Sequence, residues 1–330
     1  WSEQYDRPYG NLLSLQDELT RQILDTLRLT VADQERRRQA RPYTHNLEAY
    51  EHFLRAQSAL LVRRKSDNDA ARGQYLQAIE LDPTKTKNVW VGTGEPWGLN
   101  SVSIGDGIYK STDGGETWNK SGLPNSERIS QIIVSPKSSD TVYAAVPGAL
   151  WSDSPDRGLY KTSDGGKSWN LILKGSNLST GASTIAMDPT NPNVLFAGLW
   201  DFRRQGWTYR SGGATPNDPS GSGLFHTTDG GTTWKEITPE ANKGFPKKPY
   251  GRLAVAIAPS NPKRVYAFVE STNSALFVSD DGGQTWQQRD KSQWMVWRPF
   301  YFANLIVDPK NPDRVFKTDG SLIVSSDGGQ

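Results

Sequence analysis

Five aspartates recur in one short pattern, and any acid chemistry in this chain has to be judged against them. They are Asp113, Asp164, Asp229, Asp281 and Asp327, each followed by two glycines; the first four are completed by a tryptophan five residues on (Trp118, Trp169, Trp234, Trp286). A Ser or Thr stands two residues before each. An acid repeated at every copy of a motif cannot be the unique acid of an active site, and Asp beside paired Gly is turn chemistry: the carboxylate accepts backbone N–H bonds while Gly supplies positive φ. A structural role is therefore expected for all five. Outside the pattern lie Asp106, Asp153, Asp156, Asp201 and Asp290, and spacing alone promotes none of them to a catalytic pair, because glycosidase carboxylates are defined by their separation in space. His45, His52 and His226 do not form a metal-ligand pattern. Without cysteine there is no thiolate site, disulfide or cysteine nucleophile. No cofactor and no metal is expected.

The aspartates are 51, 65, 52 and 46 residues apart, about the length of a four-stranded propeller blade. A second motif alternates with the first, at Val134-Ser-Pro136, Met187-Asp-Pro189, Ile257-Ala-Pro259 and Val307-Asp-Pro309, each leading through a turn to an apolar run such as Val142-Tyr-Ala-Ala145. Strand A of each blade is read as ending at the Pro motif, strand B as the apolar run, strand C as entering the Asp box and strand D as leaving it. Residues 88–330 are thus expected to form a partial propeller of about five blades, mainly β, open rather than closed into a ring, with self-association through its open edges as one outcome.

In such a meander the Pro and Asp-box turns share one face. The other face receives uneven loops, read as 94–106, 146–157, 170–182, 199–222, 235–250 and 287–302. These carry Glu95, Trp97, Trp151, Arg157, Trp200, Arg203, Trp207, Trp294, Trp297 and Arg298. Trp and Arg are the residues most enriched at binding hot spots, and loops on a rigid scaffold are where binding concentrates. The group is read as a binding surface for a protein, peptide or glycan.

The first 87 residues differ. They hold 2 of the 31 glycines and 1 of the 12 tryptophans, and Leu12, Leu15, Leu19, Ile23 and Leu27 recur at helical steps. Helices are also expected over about 46–64 and 69–81, the latter ending at Asp82-Pro83. Small Ala at helix contacts, an interleaved aromatic and a terminal Pro follow the logic of one tetratricopeptide unit, and the opening segment resembles the stretch ahead of such repeats in bacterial cyclase- and regulator-associated proteins. The chain reads as a fragment, joined near residues 82–88 from two unlike sequences.

Lys and Arg number 38 against 36 Asp and Glu, so no basic face for nucleic acid is expected. No apolar run reaches membrane-span length and no export signal is visible.

The boxes, with Val89-Trp-Val-Gly-Thr-Gly-Glu95, Ser103-Ile-Gly-Asp-Gly-Ile-Tyr-Lys-Ser111, Asp156-Arg-Gly-Leu-Tyr-Lys161 and Gly223-Leu-Phe-His-Thr227, resemble the sortilin-like and BNR-repeat propellers. That resemblance implies the fold, and an exported or periplasmic setting, whereas the helical segment suggests the cytoplasm. It does not fix an activity. Sialidases carry an Arg-Ile-Pro segment that is absent here, so that activity is rejected. Xyloglucanase-type enzymes use two aspartates facing each other across a cleft. The leading expectation is a non-catalytic recognition scaffold, with a fragment of a xyloglucanase-type glycoside hydrolase as the alternative.

Overall fold

The computed structural model describes residues 87–96, 98, 102–204, 220–292, 295, 299, 303–318 and 322–330. The helices expected over residues 1–86 lie outside the described residues. The strands belong to one compact unit, Asn88–Ser111 with Trp118–Gln330. Among its described residues are five antiparallel sheets, each a consecutive meander.

The first sheet is β1 (Val89–Gly92), β2 (Ile108–Ser111) and β3 (Asn119–Lys120). Blade two is β4 (Gln131–Ser135), β5 (Ser138–Val146), β6 (Gly158–Thr162) and β7 (Asn170–Leu173). Blade three is β8 (Thr180–Met187), β9 (Leu195–Asp201), β10 (Gly223–Thr227) and β11 (Lys235–Ile237). Blade four follows as β12 (Leu253–Ile257), β13 (Val265–Val269), β14 (Ala275–Ser279) and β15 (Gln287–Gln288). The fifth sheet has β16 (Asn304–Val307), β17 (Val315–Thr318) and β18 (Leu322–Ser325). The A-to-D order expected from the two motifs is the hydrogen-bonded order in every sheet. Most of the expected loops are shorter than read: β7 and β8 occupy much of 170–182, leaving 174–179 as the connection, and β5, β9, β11 and β15 take the first residues of 146–157, 199–222, 235–250 and 287–302.

Successive blades stack face to face, β8 lying between β4 and β12, and β12 packing on to β16. Successive side chains on a strand point to opposite faces, so a strand buried between two seams is apolar throughout. On β13, Val265, Ala267 and Val269 enter the seam with blade three while Tyr266 and Phe268 enter the seam with blade five. On β5, Tyr143 and Ala145 face blade three, Ala144 and Val146 face blade one. This is why strand B reads as an unbroken apolar run in the sequence.

The Asp boxes close the C–D hairpins. Thr162, Thr227, Ser279 and Ser325 donate to Oδ1 of Asp164, Asp229, Asp281 and Asp327 at 2.7, 2.7, 2.8 and 2.6 Å. The same hydroxyls accept the N–H of the second glycine, as at Gly166 (2.9 Å) and Gly283 (2.8 Å). Each carboxylate then accepts an N–H across the turn, from Thr117 to Asp113 at 3.0 Å, from Ser168 to Asp164 at 3.0 Å and from Thr285 to Asp281 at 2.8 Å. Both glycines of the fourth box have positive φ, 73° at Gly282 and 90° at Gly283, a region costly for residues with a Cβ. The second glycine has a further duty. A Cβ at Gly166 would lie 2.5 Å from the Trp90 ring, at Gly283 2.8 Å from Phe196 and at Gly329 2.5 Å from Leu276. The preceding blade rests on that bare spot.

Candidate functional site

The face opposite the boxes is knitted together by the segments that carry the family-like motifs. Thr93 donates its hydroxyl to the Gly107 carbonyl at 2.7 Å and accepts the N–H groups of Asp106 and Gly107 at 2.9 and 3.1 Å. Glu95 closes the same loop, its Oε2 accepting the Ser103 N–H at 2.7 Å. A Cβ at Gly94 would strike the Glu127 carbonyl, so glycine permits the 93–107 loop to lie against the connection between blades one and two. In that connection Leu123 and Glu127 both adopt φ of 52°, a left-handed conformation uncommon outside glycine and worth about 1–3 kcal/mol of strain each.

Arg157 is the hub of the next loop. Its guanidinium is buried and donates to the carbonyls of Pro147, Ala149 and Ser152, the last at 2.8 Å. Burial pushes its pKa down to about 10, opposed by the negative charges of Asp201, Asp153 and Glu127. Three carboxylates from outside the boxes thus act through their charge on one buried cation. Glu127 is held by Arg128 at 2.8 Å, Asp153 by Arg203 at 2.8 Å, and Asp201 accepts from the Asn177 amide at 3.3 Å. Asp153 is the most open of the three, with half its side chain in solvent. Beside it Trp151 is 50% exposed, with the Arg204 guanidinium 5.7 Å from the ring centre.

Two of the expected binding residues therefore serve the fold. Arg157 is bonded inward because its loop curls around the guanidinium. Trp200 is 2% exposed, packed edge-to-face on Phe202 with ring centres 4.8 Å apart and covered by Arg252 at 5.1 Å. Trp151 and Arg203 are at the surface, and Glu95 is exposed but engaged in its own loop. Trp97, Trp207, Trp294, Trp297 and Arg298 lie outside the described residues. Sequence reasoning missed the buried Arg128, which ties the strained connection to Glu127; its only signal was an arginine just ahead of an apolar strand.

Comparison with known proteins agrees with this architecture. The Sortilin-Vps10 family ("Sortilin, neurotensin receptor 3") matches residues 106–243, and the BNR/Asp-box repeat matches residues 277–288. The described part of the chain is an Asp-box β-propeller of the sortilin-like and BNR-repeat kind. It is 28% identical over 327 residues to the "Probable oligoxyloglucan-reducing end-specific xyloglucanase" of Neosartorya fischeri, covering 76% of this chain and 37% of the relative. To the "Oligoxyloglucan-reducing end-specific xyloglucanase" of Emericella nidulans it is 26% identical over 243 residues, covering 66% of this chain and 27% of the relative. The solved GH74 enzyme of Niastella koreensis shares the fold, with a TM-score of 0.51 at 23% identity over 76% of this chain and 36% of that one. The chain thus spans well under half the length of these relatives. The expectation of a non-catalytic recognition scaffold is corrected here: the relatives matched over most of the chain are named as enzymes that cleave xyloglucan.

Proposed function

We propose that the chain is part of a glycoside hydrolase acting on xyloglucan-type glycans, its propeller forming one wall of the glycan site. The observation that carries this reading on the structure is Trp151, an exposed indole in the loop that also carries Asp153, which is paired with Arg203. An indole face offers an apolar platform for the C–H side of a sugar ring, while the carboxylate and guanidinium offer an acceptor and donors for its hydroxyls. The relatives named as xyloglucanases support the choice of glycan. Glycosidic cleavage uses two carboxyl groups about 5–9.5 Å apart across the bond, and Asp153, the most exposed of the carboxylates around Arg157, is the candidate this chain contributes.

Electrophoresis in native gels containing xyloglucan tests the reading. The chain should migrate more slowly in the polymer, and Trp151→Ala should lose most of that retardation while keeping its melting temperature. Equal migration of the unmodified chain with and without polymer overturns it.

A further inference from the structure

A cleft of about 290 Å³ runs along the seam between blades one and two, and Trp151 is not among its lining residues. One wall is the connection after β3, with Leu123 and Asn125; the other belongs to blade two, with Asp156 at one end, Tyr160 along β6, and Trp169 and Lys167 from the Asp box at the other end. Its volume sits at the lower end of small-molecule pockets.

The Trp169 indole is fixed in place. Its Nε1 donates to the Ser121 carbonyl at 2.7 Å, its ring meets Trp90 edge-on with centres 6.0 Å apart, and a Cβ at Gly122 would lie 2.7 Å from it. It remains only half-buried. Around it stand Asn125, Asp156, Tyr160 and Lys167, and none of these four side chains makes a hydrogen bond or ion pair to another described residue. Burial, with Asp156 nearby, raises the Tyr160 phenol. The phenol is therefore a neutral donor at neutral pH.

Trp118, Trp169 and Trp234 are all half-buried, whereas in blade four Trp286 is 4% exposed, closed over by Phe245 at 5.3 Å between ring centres. In the blade-two seam the left-handed Leu123 and Trp169 both line the cleft.

We infer that this seam cleft is a second saccharide-binding site, taking one neutral sugar unit stacked on Trp169 and hydrogen-bonded by Asn125, Asp156, Tyr160 and Lys167. An aromatic floor with mixed donors and acceptors and opposing charges fits a neutral polyol better than an ion. The choice of sugar rests on the proposed glycan function; the site's location does not. It would hold glycan in the seam between blades one and two and lengthen the surface over which a polymer is gripped.

The test follows the indole N–H signal of Trp169 by two-dimensional nuclear magnetic resonance during titration of the whole 330-residue chain with xyloglucan heptasaccharide. A saturable shift is expected, weakened at least tenfold in affinity by Asp156→Ala or Asn125→Ala and unchanged by Trp151→Ala. Retardation in the xyloglucan gel that is lost in Trp151→Ala reports the Trp151 face, and a residue of retardation in Trp151→Ala that Asp156→Ala removes reports the seam site, so failure of one is told from failure of the other. Absence of a shift, or a shift abolished by Trp151→Ala and indifferent to Asp156→Ala, overturns the inference.

Discussion

The ammonium group of Lys161, on strand C of blade two, donates to the carbonyl of Gly230 in the Asp box of blade three at 2.8 Å. Tyr143, on strand B, reaches the same carbonyl with its hydroxyl at 3.0 Å, and Lys161 lies 5.4 Å above its ring. Blade one repeats the device: Lys110 donates to Gly165 at 3.0 Å and lies 4.8 Å above Trp90. In blade three the lysine position is His226, stacked on Phe196 at 4.4 Å. The Asp box is therefore a joint between blades as well as a turn.

Removing the lysine from that joint should loosen it. Lys161→Met is expected to lower stability by about 1.5 kcal/mol, in the range for hydrogen bonds to charged groups, and Tyr143→Phe by about 1 kcal/mol. Because both side chains serve one acceptor, the double variant should depart from additivity. Urea denaturation of the four proteins measures this, and strict additivity would dissociate the two contacts.

The two glycines of one box should respond differently. Nothing lies within 4 Å of a Cβ at Gly282, so Gly282→Ala carries mainly the left-handed backbone penalty of about 1–2 kcal/mol. Gly283→Ala adds a clash with the Phe196 ring, for which overpacking costs a further 1–3 kcal/mol or about that. Equal losses for the two variants would remove the second glycine from the joint.

Acid should unlock the boxes. Hydrogen bonds from Ser168 and from Thr233 hold the Asp164 and Asp229 carboxyls far below the ordinary carboxylate range. A depressed folded pKa stabilises above the unfolded value, about 3.9, and that stability is lost as pH falls toward the folded value. Thermal melts should thus be flat near neutrality and fall steeply below about pH 4. Asp164→Asn with Asp229→Asn should flatten the fall; an unaltered acid limb would assign the transition to other groups.

Arg157 and Arg203 should separate fold from surface. Arg157→Met leaves the carbonyls of Pro147, Ala149 and Ser152 without their charged donor in a buried loop, so a loss of about 3 kcal/mol or more is expected. Arg203→Met breaks an exposed pair worth about 0–1 kcal/mol. Melting temperatures decide; a mild effect at Arg157 would mean the loop holds without it.

The blades were legible in the sequence because two turn motifs recur out of phase, and turns are local chemistry that a chain carries in its residues. The sense of each loop side chain is set by long-range packing. Arg157 and Trp151 sit six residues apart in one loop; one points in because carbonyls converge on it, the other out. Nothing in their spacing distinguishes them. Similarly, the paired glycines read as turn formers, and their second role appears only when Trp90 and Phe196 are seen resting on them. The kinship with xyloglucanases stood in the sequence reading as the alternative and not as the leading expectation, since it resides in overall similarity to long relatives rather than in a catalytic residue pattern.

The lysine and tyrosine joints described above run the same way: donors on strands B and C of blades one and two, acceptor in the box of the next blade, and Tyr266 of blade four also donates forward, to the Pro312 carbonyl in the A–B turn of blade five at 2.7 Å. The array consequently has a polarity. Disrupting one box unlatches the blade before it and leaves the latch of the blade after it intact, so damage should spread toward lower residue numbers. Hydrogen exchange after a lesion in the blade-three box should show fresh opening in Val142–Thr162 before it appears in Val265–Ser279.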